Sequence, residues 1–179
     1  MPVRRLDPND APAFQALRLQ ALHECPSAFS SSVEAECDTP LAVVAERLES
    51  APDRAAFGAF EDSRLVGLAG LQCESGRKLA HKAVLWGVYV APDFRNHGLG
   101  RQLVAAALQH AASMPGLRQL NLGVNAGNAA AIALYESLGF QPYGLERGFM
   151  LLDGELHDEI LMVCVLAGPG GTPGSAPGR

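Results

Sequence analysis

The run HKAVLWGVYVAP stops at Pro92, and the chain passes through RNHGLG directly into GLGRQLVAAALQHAASM, an apolar-periodic segment closed by Pro115 and Gly116. Proline cannot donate to a strand ladder, and a Pro-Gly pair ends a helix, so this stretch reads as strand, glycine turn, helix. The order then repeats in RQLNLGV and NAAAIALYESLG. Strand, helix, strand, helix is the frame to which the remaining segments must attach.

Upstream, VRRLDPNDAPAFQALRLQALHECP opens with a short strand-like piece. A helix follows, its Phe14, Leu17 and Ala21 recurring at three- and four-residue steps, with Asp7, Asn9 and Asp10 as cap oxygens ahead of it. The polar stretch SAFSSSVEAECDTP leads to a second helix in LAVVAERLES, then to strands AAFGAFED and LVGLAGLQCES joined across Asp62 and Ser63. At the other end FMLLDGELHDEILMVCVL carries Asp153-Gly154 between β-rich runs, a strong hairpin signal. One domain is expected over residues 1–167, followed by a disordered Gly/Pro-rich tail, 168–179.

Composition narrows the function. A formal net charge of -5 argues against broad nucleic-acid binding, which depends on basic residues neutralising phosphates. Cys25, Cys37, Cys73 and Cys164 form no CxxC pair, so no metal site is expected and the thiols read as core or surface groups in a reducing compartment. The N-terminus lacks a secretory apolar region and no stretch reaches the ~20 apolar residues of a membrane span. The expected location is the cytoplasm, with no membrane partner.

A helix that begins at RNHGLG presents its first amide hydrogens without internal acceptors. Gly98 and Gly100 carry no Cβ, so an anion such as a diphosphate can approach the backbone, where the helix dipole adds partial positive charge. Arg95 and Arg101 flank the turn. Taken alone, the two glycines serve a plain turn equally well. Neither GxxxxGK nor the full GxGxxG pattern is present. Further on, Asn128 and Tyr135 stand two helical turns apart on one face, about 10 Å along the axis, with the small Ala131 between them. An N-cap role for Asn128 and a core role for Tyr135 are the plain readings of that helix.

The two motifs in this order resemble the GCN5-related N-acetyltransferase (GNAT) superfamily. Arg95, Gly98 and Gly100 match its Q/R-x-x-G-x-G/A turn; Asn128, Ala131, Tyr135, Gly139 and Phe140 match its N-x-x-A-x-x-x-Y-x-x-x-G-F segment. The resemblance implies an α+β (α/β) fold: a mixed central sheet of about seven strands, splayed between the fourth and fifth, flanked by about four helices. It implies acetyl-CoA as cosubstrate and an amine-bearing acceptor. Backbone groups of Val88, Tyr89 and Val90 would bond the pantetheine arm. The amides of Arg95, Asn96, His97, Gly98, Leu99, Gly100 and Arg101 would take the pyrophosphate, Asn128 would touch the pantetheine, and Tyr135 would be the general acid at the leaving thiolate. Pairing through the C-terminal strands, frequent in that superfamily, makes a homodimer one expected state.

One departure matters. Relatives that acetylate ribosomal-protein N-termini carry a glutamate five residues before the asparagine, where this chain has Gly123. Their base and acceptor therefore do not transfer, and a non-catalytic acyl-CoA sensor stands as the alternative. Glu34, Glu36, His81, His157 and Asp158 are the candidate bases, with a water relay as a further route. Cys73 reads as a structural thiol rather than a nucleophile. Trp86, two residues before Val88, is expected on the same sheet face, in the core or lining the acceptor pocket.

Overall fold

A computed structural model describes residues 1–166; the expected disordered tail, 168–179, lies outside the described residues. The chain runs β1 (Val3–Arg5), α1 (Ala11–Glu24), α2 (Val33–Glu36), α3 (Leu41–Leu48), β2 (Arg54–Glu61), β3 (Arg64–Cys73) and β4 (Lys82–Val90). It continues through α4 (Leu99–Ser113), β5 (Gln119–Asn125), α5 (Ala129–Glu136), β6 (Gln141–Leu152) and β7 (Glu155–Val165). The seven strands form one sheet in the order β1-β2-β3-β4-β5-β7-β6, antiparallel except where β4 runs parallel to β5.

The sheet separates two apolar layers. Under α4 and α5 lie Val66, Leu71, Leu85, Leu103, Val104, Leu120, Phe140 and Met162. Under α1 and α3 lie Phe14, Leu17, Val44, Phe60 and Leu68. The α4 sequence docks because Leu99, Leu103, Val104, Ala107 and Ala111 fall on one helical face and are all buried. Each buried leucine contributes roughly 1.5–3 kcal/mol.

The mixed seven-stranded sheet flanked by helices is the expected architecture, and among the described residues the helices number five, since Ser32 caps a single turn, α2, inside the polar stretch read as a connector. One expectation needed correction. The last hairpin begins at Gln141, eight residues before Phe149, although Pro142 and two glycines weaken strand propensity there. Pairing with β7 overrides that propensity, and β6 is an edge strand, where a proline is tolerated.

Candidate active site

β4 and β5 pair only from Lys82–Val84 against Gln119–Asn121. Beyond that point the facing edges of the two strands diverge, and the backbone groups along them lack ladder partners. A β-bulge sits where they part. Leu68 faces Tyr89 and Gly70 faces Trp86, so the extra residue lies on β4, at Gly87, whose φ of 66° suits glycine.

The bulge also reverses the side-chain alternation, which corrects the expected placing of Trp86. Its indole occupies the space that a Cβ at Gly70 would need and meets Phe14 edge-on, 6.4 Å between centroids, on the α1 side. Val88 and Val90 instead pack toward α4. A simple two-residue period could not show this, because the period is broken between the two positions.

From Val90 the chain turns through Pro92–Phe94 and enters α4 with Asn96 and Gly98 at φ 65° and 74°. Gly98 is the N-cap in the left-handed region, and no side chain caps the helix. A Cβ built on Gly98 meets nothing within 4 Å, so the first amides of α4 open onto free space, as a bulky anion requires. Gly100 plays a different part. Its missing side chain lets Leu134 of α5 approach, 3.3 Å from where a Cβ would sit.

Both arginines brace this turn. The Arg95 Nε donates to the Val90 carbonyl at 2.9 Å, and its guanidinium lies 5.7 Å from the Tyr89 ring centroid and 3.9 Å from the Glu24 carboxylate. The Tyr89 hydroxyl donates to that carboxylate; desolvation first, and then this bond, push the phenol pKa well above its usual value. Arg101 donates to the Ser137 Oγ at 2.7 Å and so ties α4 to the end of α5. The His97 ring stands 2.8 Å from the Arg95 carbonyl, exposed and outside the cleft lining.

The far wall is α5. The Asn128 Oδ1 accepts from the Ala131 amide at 3.1 Å, so its N-cap role is real, and the residue still faces the cleft. Tyr135 is 8% exposed and packs edge-on against Phe140. Among the described residues no group hydrogen-bonds its hydroxyl, and burial pushes its pKa up to about 12, which keeps the phenol protonated at neutral pH. Between β4, the turn and α5 opens a cleft of about 460 Å³, lined by Val88–Val90, Arg95, Asn96, Gly98–Arg101, Asn128, Ala131 and Tyr135 together with Phe29.

Phe29 and Ala28 also border a smaller hollow, about 20 Å³, shared with Asn125, Phe149, His157 and Glu159. Here the Asn125 amide donates to the Ser27 carbonyl at 2.9 Å, holding the turn Pro26–Ala28 against the end of β5. Arg18 spans the same side. It grips Glu36 through two bonds of 2.8 and 3.0 Å and lies over the Phe29 ring, while its Nη1 is buried without a hydrogen-bond partner.

These contacts sort the candidate bases. Glu36 is held by Arg18, and the Asp158 Oδ1 accepts the Gly148 amide at 2.8 Å. Glu34 is exposed on α2, its pKa lowered by a backbone hydrogen bond. His81 lies beside the closed end of the sheet, its carbonyl bonded to the Arg118 amide, away from the divergence. His157 lines the small hollow. Cys73 sits opposite Ala83 at the closed end, and burial raises its thiol pKa, so nothing there activates it. Sequence reasoning missed Glu159, because only the β5–β7 register, set between segments some 35 residues apart, brings it beside Gly123.

The mixed sheet thus parts around a cleft with a glycine turn at one wall and a buried phenol at the other. The model of the acetyltransferase (GNAT) family matches residues 19–140, and the chain belongs to that family. Over 81 residues it is 40% identical to the ribosomal protein bS18-alanine N-acetyltransferase of Escherichia coli K12, a stretch covering 45% of this chain and 54% of the relative. The chain thus spans about half the length of the curated relatives it matches. Among solved structures, a ribosomal-protein-alanine N-acetyltransferase from Brucella melitensis superposes with TM-score 0.80 at 26% identity, covering 93% of this chain and all of that one. Salmonella typhimurium yncA, solved with acetyl-CoA, gives 0.81 at 24% identity over 99% and 98% of the two chains, a likeness of fold.

Proposed function

We propose that this protein transfers the acetyl group of acetyl-CoA to a primary amine by direct attack, in the cytoplasm, within one domain spanning residues 1–167. The observation that carries the reading is the cleft itself, which gathers both sequence motifs at the point where β4 and β5 separate. The parted edge of β4 at Val88–Val90, where the Val90 carbonyl is taken up by Arg95, offers backbone groups for the hydrogen bonds an extended pantetheine needs, and the bare amides from Asn96 to Arg101 suit a diphosphate. Arg95 and Arg101 act chiefly by fixing the turn, since both guanidinium groups are engaged with protein acceptors.

In this reading backbone amides near the bulge polarise the acetyl carbonyl, the neutral amine attacks, and Tyr135 protonates the departing thiolate. Burial keeps the phenol protonated at neutral pH, so its proton is in place to pass to sulfur as the carbon–sulfur bond breaks. The acceptor class that similarity favours is a peptide amino terminus, because the Escherichia coli and Brucella melitensis relatives are named for ribosomal-protein alanine. The test is thiol release from acetyl-CoA against a panel of peptides with free N-terminal alanine, free amino acids, small polyamines and aminoglycosides. Release with at least one amine is expected. Tight acetyl-CoA binding with no transfer to any class would convert the protein into an acyl-CoA sensor.

A homodimer formed through the C-terminal strands is part of the same proposal. Tyr143, Leu145 and Leu151 on the edge strand β6, and Leu156 on β7, are half to two-thirds exposed. Light scattering after size exclusion decides it: a mass near twice 18.8 kDa is expected.

A further inference from the structure

The geometry points to Glu159 as the general base of the reaction, its carboxylate taking the proton that the attacking amine gives up. The assignment rests on the acetyl-transfer reading above. Register places Glu159 opposite Asn125, with Gly123 its diagonal neighbour on the same face of the sheet. A Cβ at Gly123 would overlap the Glu159 carboxyl group, so the carboxylate fills the place left by that missing side chain. Gly123 lies past Asn121, on the stretch of β5 that has already lost β4. The carboxylate therefore stands at the flank of the divergence, in the wall of the hollow that shares Ala28 and Phe29 with the main cleft.

A structural role explains this placement poorly. Glu159 faces Glu146 directly across β6 and β7, and like charges opposite one another destabilise a sheet. Among the described residues no cation forms a salt bridge with it. The charged and titratable groups around it are Glu146 on β6, His157 and Asp158 on β7, and Arg147, which lies 3.8 Å from Asp158. Neither β5 nor the turn Pro26–Ala28 contributes any. Desolvation first, and then Glu146, raise the Glu159 pKa above the ordinary carboxylate range, the direction that improves a base working near neutrality.

The step balances without a further reactant. The amine nitrogen bonds to the acetyl carbon as the carbon–sulfur bond breaks. The proton shed by nitrogen passes to Glu159, directly or through one water, and then to solvent. Tyr135 gives its proton to sulfur and recovers one from solvent.

The experiment measures kcat/KM for an alanine-terminated peptide at saturating acetyl-CoA from pH 5 to 9, in wild type, Glu159→Gln and Glu146→Gln, with acetyl-CoA Kd measured alongside. For Glu159→Gln the expected result is a fall of roughly 10²–10⁴-fold with Kd unchanged. The second proton dependence at acid pH should vanish, leaving only that of the peptide amine. For Glu146→Gln that second ionisation should move to lower pH while the plateau holds. A purely structural carboxylate would not move either profile. A folded Glu159→Gln variant within threefold of wild type, or a Glu146→Gln profile that does not move, overturns the assignment. A wild type that transfers acetyl to no amine overturns the transferase reading and the base with it, so the two failures are distinct.

Discussion

The cleft wall on β4 and the wall of the neighbouring hollow on β7 are built in opposite ways. On the β4 side the strand, the bulge, the turn and the mouth of α4 come from one stretch, Lys82 to Arg101, and contact is offered chiefly by backbone. On the β7 side the hollow collects Ser27, Asn125, Phe149, His157 and Glu159 from four separate segments, and contact is offered by side chains. A wall of backbone suits a ligand whose shape never changes. A wall of side chains drawn from distant segments can change its acceptor by substitution without disturbing the sheet.

The sharpest way to break this division is Tyr135→Phe, on the α5 side of the cleft. Turnover is expected to fall roughly 10²–10³-fold with acetyl-CoA affinity held within about twofold. An unaltered kcat would remove Tyr135 from the chemistry. Next is Gly98→Val, which forces a β-branched residue to φ 74° and fills the space at the helix mouth. Calorimetry should show acetyl-CoA binding weakened roughly 10–100-fold, as expected for 1–3 kcal/mol of backbone strain; unchanged affinity would mean that the diphosphate sits elsewhere.

Gly123→Ala probes the other wall alone. The new methyl group displaces the end of the flexible Glu159 side chain, so kcat/KM for the peptide should drop about 10-fold while acetyl-CoA Kd and folding stay near wild type. Equal losses in both ligands would show that the walls are coupled.

The smallest expected effect concerns stability. Because the Glu159 pKa is raised in the folded protein, the native state holds that proton to higher pH than the unfolded chain does. Stability contributed at this position is therefore lost as pH rises through that window. Glu159→Gln removes the loss, so Tm at pH 7 should rise by about 1–3 °C, with the gap closing near pH 4. A lower Tm at pH 7 would indicate a supporting role for the charge.

The same contrast explains what was legible before the structure. Arg95, Gly98, Gly100, Asn128 and Tyr135 could be read because each motif lies within one strand–turn–helix unit, where spacing maps directly onto geometry. Trp86 was misplaced because a single inserted residue at Gly87 breaks the period on which the reading depended. Glu159 was invisible because its neighbours are fixed by β5–β7 register, which no local pattern encodes. The start of β6 was missed for a related reason, since partner pairing outweighed the weak propensity of QPYGLERG.

The central claim is that acetyl-CoA lies along the parted edge of β4 with its diphosphate at the mouth of α4. Amide hydrogen exchange with and without acetyl-CoA tests it most directly. Slowed exchange concentrated at Val88–Val90 and Arg95–Arg101 is the predicted result; saturating acetyl-CoA that leaves both segments exchanging at their original rates would contradict it.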